Sequence, residues 1–393
     1  MAKFDFNTSN YAKLFGDKLI NQRLLATIVN DEDIIGVNNS WYLTQGSVDP
    51  SFTPVDTEGY ATFTVRERRL SAAPMANMRA PLGDTTQLDA EGLSFYSATI
   101  PDFITPRHVE TAMSREDKEQ RFALFGNDED IMKQWVLQLQ KLRESMDSTL
   151  TWMTAKLMTT GKIVYTGIGK GIFAPIHKAD IPAENFCKAG EKAWTDPNAK
   201  IITYMQNIEA RYKQAWGWNG AMKWQMTKNF FLNTFIKNQE VLDKVNEFRT
   251  LNDLISVSFN TLNLDIFNNV WNQIRTAYGI SPIELVEEKE YNETEQSSEF
   301  VQGWEDKYVV LRPTGDAVRF MRKQILDQTY KKYLNTAITR NFAPLAGGLG
   351  TVVNTTVPNG LYNEWQTTIM FSCVPALIEF TKHVIVDVSK AGS

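Results

Sequence analysis

The stretch NDEDIMKQWVLQLQKLRESMDSTLTWMTAKLMTTG, Asn127 to Gly161, decides how the rest of the chain is read. Met132, Trp135, Leu139, Leu142, Met146, Leu150, Met153 and Leu157 recur three or four residues apart and fall on one stripe of a helix. Asn127 suits an N-cap, Asp128 to Asp130 suit the positive end of the helix dipole, and Gly161 suits a terminator. The reading is one helix over 128–160, on the order of 45–50 Å long. Its apolar pattern covers barely four heptads without consistent charged flanks, which argues against a coiled coil. Periodicity alone leaves open a long core helix in an α+β enzyme.

Upstream of this helix, YATFTVRER alternates: Phe63 and Val65 face one way, and Thr62, Thr64, Arg66 and Arg68 the other. Leu93 to Ile100 is a second strand, so the two predict a two-stranded arm whose loop is rich in Met, Pro and Ala. Two strands are marginal in water, so such an arm must lie on a neighbour. Further back, Ser9 to Asn30 reads as an amphipathic helix and Asp31 to Thr57 as irregular chain.

Downstream, KIVYTGI is a short strand and Ile172 to Thr195 a loop. Helices are expected over Asp196 to Trp216, with Pro197 in the first turn, over Asn229 to Ile236 and over Val241 to Arg249. Strands are expected over Met222 to Met226, Ile283 to Val286 and Tyr308 to Leu311, so this stretch alternates like an α/β unit. Gly315 to Tyr333 reads as helix and Leu345 to Gly360 as loop. Thr367 to Phe371 and His383 to Val388 read as closing strands that pair near the long helix.

The 393 residues are 43% hydrophobic and 22% charged, the composition of a folded globular chain. A formal net charge of -5 excludes an overall basic field for nucleic acid. No apolar run is long enough to cross a bilayer, and no secretory leader is read at the N-terminus. Two cysteines, Cys187 and Cys373, cannot build a disulfide framework and read as small buried thiols.

Chemistry is scarce. His108, His177 and His383 are too dispersed for a zinc site, and His108 and His383 each read as packed or hydrogen-bonded rather than catalytic. Gly167 to Gly171 resembles part of a phosphate loop, but Gly171 stands where Ser or Thr would hold magnesium. No catalytic, metal or cofactor constellation is expected. The basic residues Arg66, Arg68, Arg69, Arg79 and Arg107 lack interleaved aromatics, which favours ion pairs to another subunit over nucleic acid.

The order of elements is what carries a resemblance: amphipathic helix, projecting arm, long helix ending in Gly, short strand, α/β insertion, returning strands. The chain resembles the Hong-Kong-97-type capsid fold of tailed phages, within it the lambda-type major head protein family. LMTTGKIVYT is similar to that family's helix-then-strand passage, and Ile201 to Ile236 to its axial-domain helix and strand. TFTVRERRL and IPDFITPRH are similar to its arm, and Ser372 to Pro375 with VIVDVS to its closing turn and strand.

The resemblance implies an α+β shell subunit. It divides the chain into an N-terminal arm and helix over 1–58, an extended E-loop over 59–110, and a first P-domain part over 111–195 with the spine helix. An A-domain over 196–312 and, over 313–393, its end with the remaining P-domain strands complete the division. Trp135, Leu139, Leu142, Met146 and Leu150 would form the spine-helix core. It further implies self-assembly into hexamers and pentamers around double-stranded DNA that is enclosed without sequence readout. Assembly would occur in the host cytoplasm, with the virion capsid as the final location. Scaffolding would be separate or removed, and decoration and portal proteins are further implied partners. The arm between Arg69 and Leu93 has no lysine, so a shell without covalent cross-links is expected. An encapsulin-like compartment shell and a soluble α+β enzyme are the competing readings.

Overall fold

The computed structural model describes residues 51–52, 62–68, 93–101, 103–104, 108–110, 128–164, 177–216, 220–251, 264–286, 291–292, 300–301, 303–323, 339–344, 350–359 and 362–392. Within the long helix, side chains are described from Gln140 onward. The expected N-terminal helix, together with Arg69, Arg79 and Arg107, lies outside the described residues, as do the side chains of Arg68, Met132, Trp135 and Leu139.

In chain order, β1 (Ser51–Phe52), β2 (Thr62–Arg68), β3 (Leu93–Thr99), β4 (Phe103–Ile104) and β5 (His108–Glu110) precede the long helix α1 (Asp128–Thr160). After it come β6 (Lys162–Ile163), β7 (His177–Lys178), β8 (Phe186–Lys188), α2 (Ile201–Trp216), β9 (Met222–Thr227), α3 (Gln239–Leu251), α4 (Leu264–Tyr278) and β10 (Ile283–Val286). The remaining strands are β11 (Tyr291–Asn292), β12 (Phe300–Val301), β13 (Tyr308–Pro313), β14 (Val318–Arg322), β15 (Thr339–Pro344), β16 (Gly350–Asn359), β17 (Tyr362–Phe371), β18 (Cys373–Leu377) and β19 (Val384–Asp387).

The 33 residues of α1 span about 50 Å at the usual helical rise. Leu142, Met146, Leu150, Met153 and Leu157 are all buried, as their spacing requires. Towards the C-terminus the enclosure widens to Thr151, Thr154, Ala155, Met158 and Thr159. Threonine tolerates that setting because its hydroxyl is satisfied locally: Thr154 donates to the Leu150 carbonyl and Thr159 to that of Ala155, each at 2.8 Å. At the helix end Gly161 takes φ 69°, and its N–H donates to the Leu157 carbonyl at 2.9 Å. A Cβ there would stand 3.1 Å from Ile181 and 3.2 Å from Phe186, so both backbone and packing call for glycine.

Five strands form the principal sheet in the order β10-β9-β13-β19-β8. Because side chains alternate along a strand, this sheet serves two cores. Val309 and Leu311 of β13, with Val384 and Val386 of β19, join the core built by α2, α3 and α4. Val310 and Ile385, between them, join the core around α1. That second core also gathers Phe63, Tyr96 and Ala98 from β2 and β3, and Cys373, Val374 and Leu377 from β18. The closing strand β19 pairs parallel with β8 and antiparallel with β13, which brings the C-terminal chain back into the principal sheet.

Several expectations are corrected. Gly315 to Tyr333 is not helical where described: Val318–Arg322 is a strand between β1 and β18, with Val318 and Phe320 buried and Arg319 exposed between them. The predicted loop over Leu345 to Gly360 contains β16, ten residues paired along their length with β17, its β-branched TVVNTTV run outweighing the neighbouring glycines. The predicted loop over Ile172 to Thr195 contains β7 and β8.

Pro375 lies within β18 rather than in a turn, tolerated because that strand is the edge of its sheet. Pro197 precedes α2, whose first turn is held by Glu240 of α3, accepting from Ile202 N at 2.7 Å and Thr203 Oγ1 at 2.6 Å. The helix α4 was not read from the sequence at all.

Candidate assembly surface

The ribbon of β2 and β3 has two unlike faces, fixed by its register. Thr62 pairs with Thr99, Thr64 with Ser97, Arg66 with Phe95, and Arg68 with Leu93. Directly opposed residues share a face, so these pairs form one side. The alternate side carries Phe63, Val65 and Glu67 against Ala98, Tyr96 and Ser94.

That inner side is seated on the subunit's own core. Phe63 is 3% exposed and Tyr96 5%, and the Tyr96 hydroxyl donates to the Leu377 carbonyl at 3.1 Å. The Tyr96 ring meets Phe380 edge-on with centroids 5.0 Å apart. Burial and the nearby Glu67 raise the Tyr96 phenol far above its ordinary range, so it stays a hydrogen-bond donor. The neighbour foreseen for the arm is therefore, at its base, the same chain.

Glu67 is the unexpected member. Its Oε2 accepts from Thr381 N at 2.8 Å, and its Oε1 lies 3.6 Å from Lys382 Nζ, which also meets Glu379 at 3.0 Å. Burial raises the Glu67 carboxyl above its ordinary value, while the Thr381 amide and Lys382 hold it back. Glu379, next to this cluster, is the one non-glycine residue with positive φ among the described residues, at 52°. Strand alternation alone would have found Glu67, since it shares a face with Phe63 and Val65.

On the outer side Thr62, Thr64, Arg66, Phe95 and Ser97 are all exposed. Thr64 and Ser97 hydroxyls meet at 2.9 Å, and Arg66 is exposed. Beside Arg66, Phe95 is 62% exposed, the largest exposure of a big apolar side chain among the described residues. Of the five arginines singled out, only Arg66 has a described side chain, and it stands on this outer face.

The other flagged residues are structural. His383 Nε2 donates to the Met158 carbonyl at 2.6 Å, capping the end of α1 as a neutral imidazole, and burial lowers its pKa to about 4. Cys373 is buried and its thiol is pushed up by burial. Cys187 is only half-buried, contrary to expectation, with Arg211 Nη2 at 3.1 Å from its sulfur. Among the described residues no cluster of His, Cys, Asp or Glu could hold a metal ion, and no helix is long and apolar enough to cross a membrane.

A shell-forming subunit is what such a one-sided ribbon suits, and comparison with known families decides the matter. The family model described as phage major capsid protein E matches residues 61–337, from the ribbon through the α/β unit. The chain belongs to that family. The subunit is thus a structural protein of a phage capsid rather than an enzyme, and its place is the virion shell. Membership favours this over the compartment and enzyme readings, and the lambda-type resemblance and Hong-Kong-97-like α+β class fit it.

No curated protein matches in sequence. Solved structures similar to this capsid subunit include a capsid-protein candidate of a prophage in Escherichia coli CFT073, at 12% identity and TM-score 0.44, covering 93% of this chain and 98% of that one. A phage-related protein from Bordetella bronchiseptica RB50 has 10% identity and TM-score 0.44, covering 93% and 97%. The capsid of cyanophage A-1(L) has 10% identity and TM-score 0.41, covering 84% and 88%. At such scores the identification rests on the family match.

Proposed function

We propose that this subunit assembles as hexamers and pentamers into the closed icosahedral head of a tailed phage, around double-stranded DNA that it encloses without reading sequence. The observation that carries the proposal is the outer face of the ribbon, where Arg66 and a 62% exposed Phe95 stand side by side. An aromatic ring and a guanidinium on a rigid strand pair make a contact surface for a neighbouring copy.

On this reading the ribbon is the base of the E-loop, α1 the spine of a P-domain, and α2 to α4 with β9, β10 and β13 the A-domain over 196–312, while β8 and β19 complete its sheet from the flanking segments. The basic residues Arg66, Arg68, Arg69, Arg79 and Arg107 pair with acidic groups of neighbours, and no covalent cross-link forms. Assembly takes place in the host cytoplasm, with a separate scaffolding protein, a portal and decoration proteins as partners.

Negative-stain microscopy together with sedimentation of the purified protein, with and without scaffold or crowding agent, tests the proposal. Closed shells or five- and six-membered rings are expected. A protein that stays monomeric under every condition overturns it, and covalent ladders on a denaturing gel overturn the absence of cross-links.

A further inference from the structure

His177 lies under the ribbon. Its side chain is 1% exposed, and neither ring nitrogen has a hydrogen-bond partner. Phe63 of β2 meets it edge-on with ring centroids 5.6 Å apart, and Tyr96 of β3 lies 6.1 Å away. One inner-face residue from each strand thus closes over an imidazole that nothing satisfies. A buried polar group in that state is costly even when neutral and far more so when charged.

We propose that His177 is a proton-operated latch for the ribbon: the neutral ring lets β2 and β3 seat on the core, and protonation drives them off it.

The charged surroundings support the sense of this switch. Beside the ring, β7 continues into the exposed Lys178, and the paired strand β6 contributes the exposed Lys162. Asp180, three residues on, is exposed. The ribbon contributes Glu67 and the Tyr96 phenol on its inner face, and the segment after β18 contributes Glu379 and Lys382 around Phe380 and Thr381. Glu67 is committed to Thr381 N and Lys382.

Burial alone lowers the His177 pKa to about 4, against an ordinary value near 6.5. Release of the ribbon restores the ordinary value, so the open form binds the extra proton, and acidification from about 6.5 towards 4 favours opening. Glu67 has the opposite sign, since its carboxyl is raised when the ribbon is closed. Thr381 and Lys382 restrain that shift without cancelling it, so replacing Glu67 isolates the contribution of the imidazole.

Amide hydrogen exchange in β2 and β3 of the purified subunit, corrected for the intrinsic rate and followed from pH 7 to 4.5, tests the latch. The open fraction of the ribbon should rise as pH falls, with Glu67→Gln steepening the rise towards its limit of about tenfold per pH unit for one proton. The variants His177→Phe and His177→Leu should abolish or reverse it. Exchange in α3, which belongs to the other core and holds neither buried histidine, serves as the internal control. The latch is overturned by a pH-independent ribbon, by an equal rise in both His177 variants, or by a rise shared equally with α3. Should neither variant fold, the ring resonances of wild-type His177 decide together with the β2 and β3 amides: ring protonation accompanied by loss of amide protection in the ribbon supports the latch, and ring protonation with the ribbon still protected overturns it.

Discussion

The Glu67 carboxylate, on the first strand of the ribbon, accepts a 2.8 Å hydrogen bond from the backbone N–H of Thr381, which lies between β18 and β19. This contact and the Tyr96 hydroxyl on the Leu377 carbonyl tie both ribbon strands to the same stretch of chain. Replacing Glu67 by Ala leaves a buried amide without its acceptor and should cost about 1–3 kcal/mol. Glu67→Gln keeps an acceptor and should cost less. Urea unfolding midpoints of the two variants measure the difference, and equal midpoints would show that the carboxylate does not anchor the ribbon.

Gly161 ends α1 in the left-handed region, against Ile181 and Phe186. A side chain there meets both a backbone penalty of roughly 1–2 kcal/mol and crowding from two apolar neighbours. Gly161→Ala should lower the melting temperature by several degrees without changing the fold. A neutral substitution would mean that the turn relaxes.

Leu150 is fully buried in α1, and Leu142 is 6% exposed on the same stripe. Leu150→Ala should destabilise by about 2–5 kcal/mol, the usual range for such a cavity. Leu142→Asp places a charge on the packed face and should leave the chain insoluble or unfolded. Soluble Leu142→Asp subunits that assemble normally would remove that stripe from the core.

Arg66→Glu together with Arg68→Glu should give a folded subunit that assembles poorly, because strand alternation puts both positions on the outer face of the ribbon. Far-ultraviolet circular dichroism would report the fold, and sedimentation the assembly. Normal shells from this double variant would mean that these charges are not at an interface.

His383 has a folded pKa of about 4 against roughly 6.5 when unfolded, because it is fully buried. The folded value is the lower one, so its contribution is fully present above about pH 6.5 and is lost as the pH falls towards 4. The slope it adds is at most about 1.4 kcal/mol per pH unit in that window. His383→Gln can still donate to the Met158 carbonyl without titrating there, and should flatten the acid limb of stability measured by urea melts at pH 7, 6 and 5.

The long helix was legible because its apolar spacing, acidic start and terminal glycine all agree, and Asp128–Thr160 falls where they place it. The ribbon strands were legible from alternation, and the family was legible from the order of elements. Legibility failed where local pattern and tertiary context part. The β14 segment VRFMR reads either way by itself and is settled by pairing with β1 and β18. The β16 run was masked by the glycines before it, and β8 is only three residues long.

The ribbon's anchor escaped notice for another reason. Glu67 is more than three hundred residues from the adjacent Thr381 and Lys382, and His177 is likewise remote from Phe63 and Tyr96, so alternation marks Glu67 as inward but only the closed chain supplies its partners. On the outer face the arginine was visible in advance, but the exposure of Phe95 depends on which side of the ribbon the core takes.

The sheet strands β13 and β19 send Val309, Leu311, Val384 and Val386 to one side and Val310 and Ile385 to the other. The two hydrophobic interiors therefore share a party wall. Melting either interior strips one surface of that wall bare, and the strands cannot hold their register with only half of their side chains supported. Heat should accordingly take the isolated subunit apart in a single calorimetric transition. A force applied to the spine helix in a finished shell would reach α2, α3 and α4 through the shared strands of this sheet.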